Sequence, residues 1–253
     1  MRRLTNDLKA ALNFALETHR KKLPVELSLV IQNGLKADQA RPVEARRQVL
    51  SDDELRRVLE AAREVDEEQD WDGDLYRLIL LLAATGGRFS QLRRVTVEDL
   101  QFDQRRIMLP SSRKGRGQKQ IEKIAVPLGD EVLNALKSEV DGKSSFAALL
   151  ERWRRIQIGP MKWVKNRRGP WRAASEIDAP WTEIQDKAGL GVDTVSYSLR
   201  HTSIVRGLRA GLPTRLVAAL HDTSVSMIEK HYAAYVVDAM NDLAAKAVLK
   251  VVQ

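Results

Sequence analysis

No cysteine occurs among the 253 residues, so disulfides, thiolate zinc sites and cysteine nucleophiles are excluded together. Four histidines are a thin supply for a metal cage, and neither a metal nor an organic cofactor is expected. Long apolar runs are also missing. The longest, around Leu78 to Ala84, falls well short of the roughly 20 residues that a membrane span needs. The first residues, MRRLTNDLKAALNFALETHRKK, contain neither a continuous apolar stretch nor a small-residue cleavage site, so they do not read as a secretory signal. The expected place is the cytoplasm, in association with the nucleoid. No internal repeat or low-complexity segment interrupts the chain.

What is there is positive charge. Lys and Arg number 42 against 34 Asp and Glu, a formal net charge of +8, and the sequence pI is about 9.8. Such an excess attracts polyanions over a long range, and nucleic acid is the usual one. With 43% apolar and 30% charged residues, the chain has the material for a sizeable core and is expected to fold.

Hydrophobic spacing divides it. Leu4, Leu8, Leu12 and Leu16 mark an amphipathic helix, broken by Asn33-Gly34 and Arg41-Pro42, after which RPVEARRQ reads as a basic linker. Residues 1–42 are thus a small helical segment, 43–48 a linker and 49–253 the main domain. Ser51 opens that domain with a capping box, SDDE, followed by the apolar stripe Leu55, Val58 and Leu59. Leu75 to Ala84 is apolar nearly all round and therefore central, and Gly86-Gly87 ends it just before Arg88. From Val97 the period changes to alternation. VEDLQF, RRIMLP and EKIAVPL read as three strands, with the basic loop SSRKGRGQKQ between the second and third. Helices are expected over Asp130 to Val140 and Phe146 to Ile156.

In the stretch that follows, Trp153, Trp163 and Trp171 alternate with Arg154, Arg155, Lys162, Lys165, Arg167, Arg168 and Arg172. This mixture suits a sugar-phosphate clamp; the alternative is a solvated turn anchored to the core by its tryptophans. Helices then run from Leu199 to Ala210, from Pro213 to Leu220 and onward from a cap at Ser224, and the tail carries Met240, Leu243, Ala244, Val248 and Val251 on one face. The fold class is mainly α with a small three-stranded antiparallel sheet.

Chemistry concentrates in YSLRHTSIVRGLRAGLPTRLVAALHDTSVSMIEKHYAAY, from Tyr197 to Tyr235. Arg offers a permanent planar fork to phosphate oxygens, His exchanges a proton near neutral pH, and Tyr can be a nucleophile. The pieces ATGGRFSQLRRV, SSRKGRGQK, YSLRHTSI, AALHDTSV and EKHYAAY follow in an order and at a spacing that closely resemble the tyrosine recombinase (phage integrase) family, from about residue 48 to 240. The resemblance implies a site-specific recombinase that cuts DNA through a tyrosine linked to the 3′ phosphate and frees a 5′ hydroxyl, without metal or ATP. Tyr232 matches the nucleophile, Arg88 and Arg200 the two catalytic arginines, and Lys114 the loop lysine that protonates the leaving oxygen; Lys119 and Lys123 are its possible replacements. Arg113, Arg116, Lys119, Lys162, Lys165, Arg167 and Arg168 are the candidate DNA contacts.

Three departures from the family pattern matter. Tyr197 stands where the family usually has His; it can hydrogen-bond phosphate but is a poor base. Leu220-His221-Asp222 replaces the usual Leu-Gly-His, and His221 lies eleven residues before Tyr232, so either His221 or Asp222 occupies the histidine's place; His221 is preferred because an Asp would repel phosphate. Tyr235, one helical turn after Tyr232, is a rival nucleophile. His201 reads as a structural hydrogen-bonding residue.

The amino-terminal segment looks like only the last part of the family's DNA-clamping core-binding domain. Double-stranded DNA is the implied partner, with a DNA-dependent homo-oligomer, tetrameric at synapsis, and no membrane. A lapsed DNA-binding protein of the same fold and a type IB-like topoisomerase are the competing readings.

Overall fold

The computed structural model describes residues 2–24, 26–35, 49–112 and 122–246. The chain divides into two compact units, Met1–Val43 and Glu44–Gln253. In the first, α1 (Arg2–Thr18) packs on α2 (Leu27–Gly34) and Ile31 is buried, whereas Leu4, Leu8 and Leu12 are exposed.

The second unit opens with α3 (Asp52–Glu68), whose capping box forms as the sequence requires. Ser51 Oγ accepts from the Glu54 amide at 3.2 Å, and Glu54 Oε2 accepts from the Ser51 amide at 2.8 Å. Near the other end of α3, Asp66 turns its carboxylate onto the amides of Gly73, Leu75 and Tyr76, at 2.6 to 2.9 Å, and so caps the start of α4 (Asp74–Thr85). Helix α4 buries Leu75, Leu78, Ile79 and Leu81 completely and forms the centre of the main core.

A short helix, α5 (Phe89–Leu92), follows, and then a three-stranded antiparallel meander of β1 (Leu100–Gln101), β2 (Arg106–Pro110) and β3 (Lys123–Pro127), with Ile107 opposite Val126. The expected strand over VEDLQF shrinks to its last part. Val97–Asp99 is a 3₁₀ turn, because Asp99 Oδ2 accepts from both the amide and the hydroxyl of Thr96 at 3.0 Å and closes a local cap. The loop residues Arg113, Lys114, Arg116 and Lys119 lie outside the described residues. Lys123 lies within β3 and its ammonium pairs with Asp99 at 2.6 Å.

Helix α6 (Asp130–Val140) forms as expected, but the helix expected over Phe146 to Ile156 does not. The Ala147 carbonyl accepts from Val97, the Leu149 amide donates to Val95, and Thr96 pairs with Ala148 in an isolated bridge. Leu149 and Leu150 are thereby drawn, in non-helical backbone, into the main core. Burial of two leucines outweighs the few tenths of a kcal/mol per residue by which Ala and Leu favour a helix.

A second sheet, not the alternative of a solvated turn, forms from the Trp-, Arg- and Lys-rich stretch. Strands β4 (Glu151–Gly159) and β5 (Lys162–Pro170) form an antiparallel hairpin around Pro160-Met161. Its base is pinned by stacked Trp71 and Trp171, with Arg152 lying over both rings at 4.6 and 4.9 Å. Lys165 pairs with Asp70 at 2.7 Å and Asp72 at 2.8 Å; Arg168 pairs with Asp74. Helices α7 (Asp178–Lys187), α8 (Ser198–Arg209), α9 (Thr214–Leu220) and α10 (Val225–Lys246) complete the unit. A second apolar cluster, with Ile204, Val205, Leu208, Val217, Ala218, Ile228 and Tyr232, binds α8, α9 and α10 together. The side chains of the expected apolar face from Met240 to Val251 lie outside the described residues.

Candidate active site

The ends of four helices and one strand meet at one place. The first is the turn after α4, where Gly86 has φ +59°. A Cβ there would lie 2.7 Å from atoms of both His221 and Ser203, so glycine is required by close approach as well as by backbone conformation. This lets α8 and the end of α9 press against the turn that carries Arg88.

Arg200, on α8, is 4% exposed. Its Nη1 donates to the Gly86 carbonyl at 2.7 Å and its Nη2 donates to the His221 carbonyl. The guanidinium therefore ties the turn after α4 to the end of α9. Burial, followed by the proximity of Arg88, lowers its pKa, but a guanidinium remains charged at any physiological pH.

Arg88 is held from the other side. Its Nη1 donates to the backbone carbonyl and to Oδ2 of Asp222, at 3.1 and 3.2 Å. The same Oδ2 accepts from Gln91 Nε2 at 3.3 Å and from the Ser112 amide at 2.7 Å. Asp222 takes the left-handed conformation, φ +49°, which Asp tolerates better than most residues. Gln91 and the Ser112 amide were not singled out in the sequence; Gln91 sits one helical turn after Arg88, which was the available signal.

His221 is buried, and both ring nitrogens have protein partners: Nε2 with the Ser203 hydroxyl at 2.9 Å, Nδ1 donating to the Val217 carbonyl at 2.8 Å. It is the neighbouring Asp222 that faces Arg88. Desolvation pushes the His221 pKa down to about 4. Because the unfolded histidine titrates near 6.5, the native state prefers the neutral ring. Stability is therefore unaffected above that value and falls as pH drops from 6.5 toward 4, by about 3 kcal/mol for this residue. Chemical denaturation at pH 7 and pH 4.5 is expected to show His221→Gln losing less stability on acidification than the parent chain. Equal losses would mean that His221 is not the titrating group.

Tyr232 is 6% exposed, and it is the residue at which α10 departs from helical geometry, with φ −127° and ψ 19°. Its ring belongs to the second apolar cluster, and its hydroxyl is hydrogen-bonded to His201 Nδ1. Burial pushes the phenol up to about 12, with Arg200 opposing. His201 is pushed down to about 4 by burial and then by Arg200. Tyr197, 45% exposed at the start of α8, meets the His201 ring edge-on at 5.1 Å. Tyr235 packs at the edge of the same apolar cluster, and the Arg209 guanidinium covers its ring at 5.5 Å.

The structure thus brings Arg88, Tyr197, Arg200, His221 and Tyr232 into one neighbourhood, with Asp222 and His201 added. Of the basic hairpin residues, Lys165 and Arg168 are engaged by Asp70, Asp72 and Asp74, while Lys162 and Arg167 face solvent. Among the described residues, no group of three or more His, Asp or Glu is placed to hold a metal ion, and no helix is long and apolar enough to cross a membrane.

The profile of the phage integrase family matches residues 48–237, which include every one of these side chains. The chain belongs to the phage integrase family. No curated protein matches it in sequence. Solved structures do match in fold. XerA recombinase is 21% identical with a TM-score of 0.56, covering 98% of this chain and 84% of that one. The Tn1549 transposon integrase, in complex with circular-intermediate DNA, is 18% identical with a TM-score of 0.59, covering 96% and 78%. A lambda integrase tetramer bound to a Holliday junction is 15% identical with a TM-score of 0.53, covering 88% and 58%. The family's catalytic-domain fold accounts for the helical body and the three-stranded sheet of this integrase family member.

Proposed function

We propose that this phage integrase family member breaks and rejoins double-stranded DNA at specific sites, with Tyr232 as the nucleophile and Arg88 and Arg200 as the cations that hold the scissile phosphate. The observation that carries the proposal is the anion already seated there. Arg88, Gln91 and the Ser112 amide converge on one carboxylate oxygen of Asp222, and donors that converge on a carboxylate oxygen fit a phosphate oxygen equally well. Arg200 uses two N–H groups on backbone carbonyls and has five in all, so three remain for the same phosphate.

The chemistry follows from charge. A phenol at about 12 is ionised in only about one molecule in 10⁵ at pH 7, so Tyr232 loses its proton during attack. Negative charge then grows on the non-bridging oxygens, where fixed guanidiniums stabilise it most. The phosphotyrosine bond conserves the energy of the broken diester, so a hydroxyl of another strand reseals it without ATP. Tyr197 is assigned to hydrogen-bond the phosphate, and Lys114, by the family resemblance, to protonate the leaving 5′ oxygen. The engagement of Tyr235 by Arg209 favours Tyr232. Lys162 and Arg167 on the hairpin are assigned to the DNA backbone, and a DNA-dependent tetramer is the expected working assembly.

The test is a duplex nicked beside the cut, in the presence of a chelator. A covalent protein–DNA adduct is expected, and mass spectrometry of its peptides should place the 3′ phosphate on Tyr232. Linkage through Tyr235 would reassign the nucleophile, and binding without any adduct would select the lapsed DNA-binding protein. The seat itself gives a further expectation. Asp222→Asn keeps the left-handed turn and an acceptor for Ser112 while removing the competing charge, so the dissociation constant for duplex DNA should fall about tenfold at low salt. Unchanged or weaker binding by anisotropy would show that phosphate does not enter there.

A further inference from the structure

The residue at the family's usual histidine position is Tyr197, a phenol that accepts a proton poorly, and Tyr232 must still be deprotonated. We infer that His201, the residue after Arg200, is the general base for Tyr232, an assignment that rests on Tyr232 being the nucleophile. Its Nδ1 is within hydrogen-bonding reach of the Tyr232 hydroxyl, with the two ring centroids 5.7 Å apart. Helix α8 fixes the geometry. Consecutive residues point the two side chains in different directions: Arg200 onto the Gly86 and His221 carbonyls, His201 onto the tyrosine. Tyr197, one turn earlier on the same face, closes over the imidazole edge.

The ring is also in the right protonation state. The charged and titratable groups around it are Arg200, His231, Tyr197 and Tyr232. Burial, and then the Arg200 charge, keep it neutral at pH 7, so its lone pair is available to accept. The resting values, about 4 for His201 and about 12 for Tyr232, keep the proton on oxygen until DNA arrives. The negative phosphate beside Arg200 and the ring then raises the imidazole's affinity for a proton, while bonding to phosphorus removes that of the phenolic oxygen. In the step, the Tyr232 Oη–P bond forms, the P–O5′ bond breaks, and the tyrosine proton passes to Nδ1. The leaving 5′ oxygen takes its proton from a separate acid, the role assigned to Lys114. Resealing reverses each transfer.

The experiment is single-turnover adduct formation on the nicked duplex by the full chain, His201→Ala and His201→Asn. Both variants are expected to be slower by about 10²- to 10⁴-fold, the usual worth of a positioned base. Asn can still hydrogen-bond the hydroxyl but accepts no proton, so its failure separates base catalysis from mere positioning. The rate of the parent chain should level off with rising pH above the imidazole's ionisation, whereas the variants should rise about tenfold per unit. Added imidazole should restore part of the His201→Ala rate, and a 5′-bridging sulfur substrate, which needs no leaving-group acid, should not.

Rates within threefold of the parent, restoration by the sulfur substrate, or full activity of the Asn variant would each overturn the assignment. If the parent chain itself forms no adduct, it is the recombinase reading that fails.

Discussion

Arg200→Lys is expected to slow formation of the covalent DNA adduct by about three orders of magnitude in a chain that remains folded. Loss of a single preorganised oxyanion donor raises a barrier by about 2.7–4 kcal/mol, or 10²- to 10³-fold, and Lys forfeits more than one. Arg200 anchors two carbonyls, those of Gly86 and His221, with separate nitrogens. An ammonium on a flexible stem is a point charge that cannot keep both contacts and still present a planar fork to phosphate. Arg200→Ala removes the donors altogether and leaves two buried carbonyls unpaired, each costing about 1–3 kcal/mol. Its thermal midpoint should therefore fall as well, by roughly 5–20 °C for a domain of this size. The pair of variants separates the two duties of one side chain. A lysine variant that keeps its rate within tenfold would show that the second guanidinium does not touch the scissile phosphate.

The parts of this architecture that were legible in the sequence are those with local causes. The SDDE box closes on itself within four residues. The apolar run from Leu75 to Ala84 has nowhere to go but the core, and Gly86-Gly87 must end it. Arg88 and Arg200 each sit near a helix start, so their motifs could be placed on the fold from the sequence, whereas the kink of α10 at Tyr232 could not. What could not be read has causes far along the chain. Ala147-Ala148-Leu149-Leu150 favours a helix by itself, and only the edge formed by Val95 to Val97 pulls it straight.

Charge was illegible for the same reason. Lys165 and Arg168 look like DNA ligands in a basic stretch, yet their carboxylate partners lie 93 and 94 residues earlier in the chain. A net charge says nothing about which cations are already paired. In the sequence, Asp222 is a group that repels phosphate. That electrostatic reasoning still holds, and it is the same charge that pairs the carboxylate with Arg88. Adjacency to Arg200 makes His201 look structural in the sequence, because it does not reveal a tyrosine 31 residues away.

Tyr232→Phe should reduce adduct formation below detection while changing the fold little, and the reason lies in the residue's two halves. The ring packs with Ile204, Val205, Leu208, Val217, Ala218 and Ile228 in the cluster that joins α8, α9 and α10. Phenylalanine keeps that packing and loses only the hydroxyl, along with its bond to His201, so the stability change should be about 1 kcal/mol. Tyr232→Ala would be a poor test of chemistry, since emptying the cluster costs about 3–5 kcal/mol and would release the end of α10. No substitute is expected from Tyr235, whose ring is covered by Arg209. Binding of intact duplex should survive in the Phe variant, because the cations and the Asp222 seat are untouched. An undiminished adduct from Tyr232→Phe, in a chain with an unaltered thermal midpoint, would mean that the buried hydroxyl beside His201 is part of the core and that cleavage is carried out elsewhere.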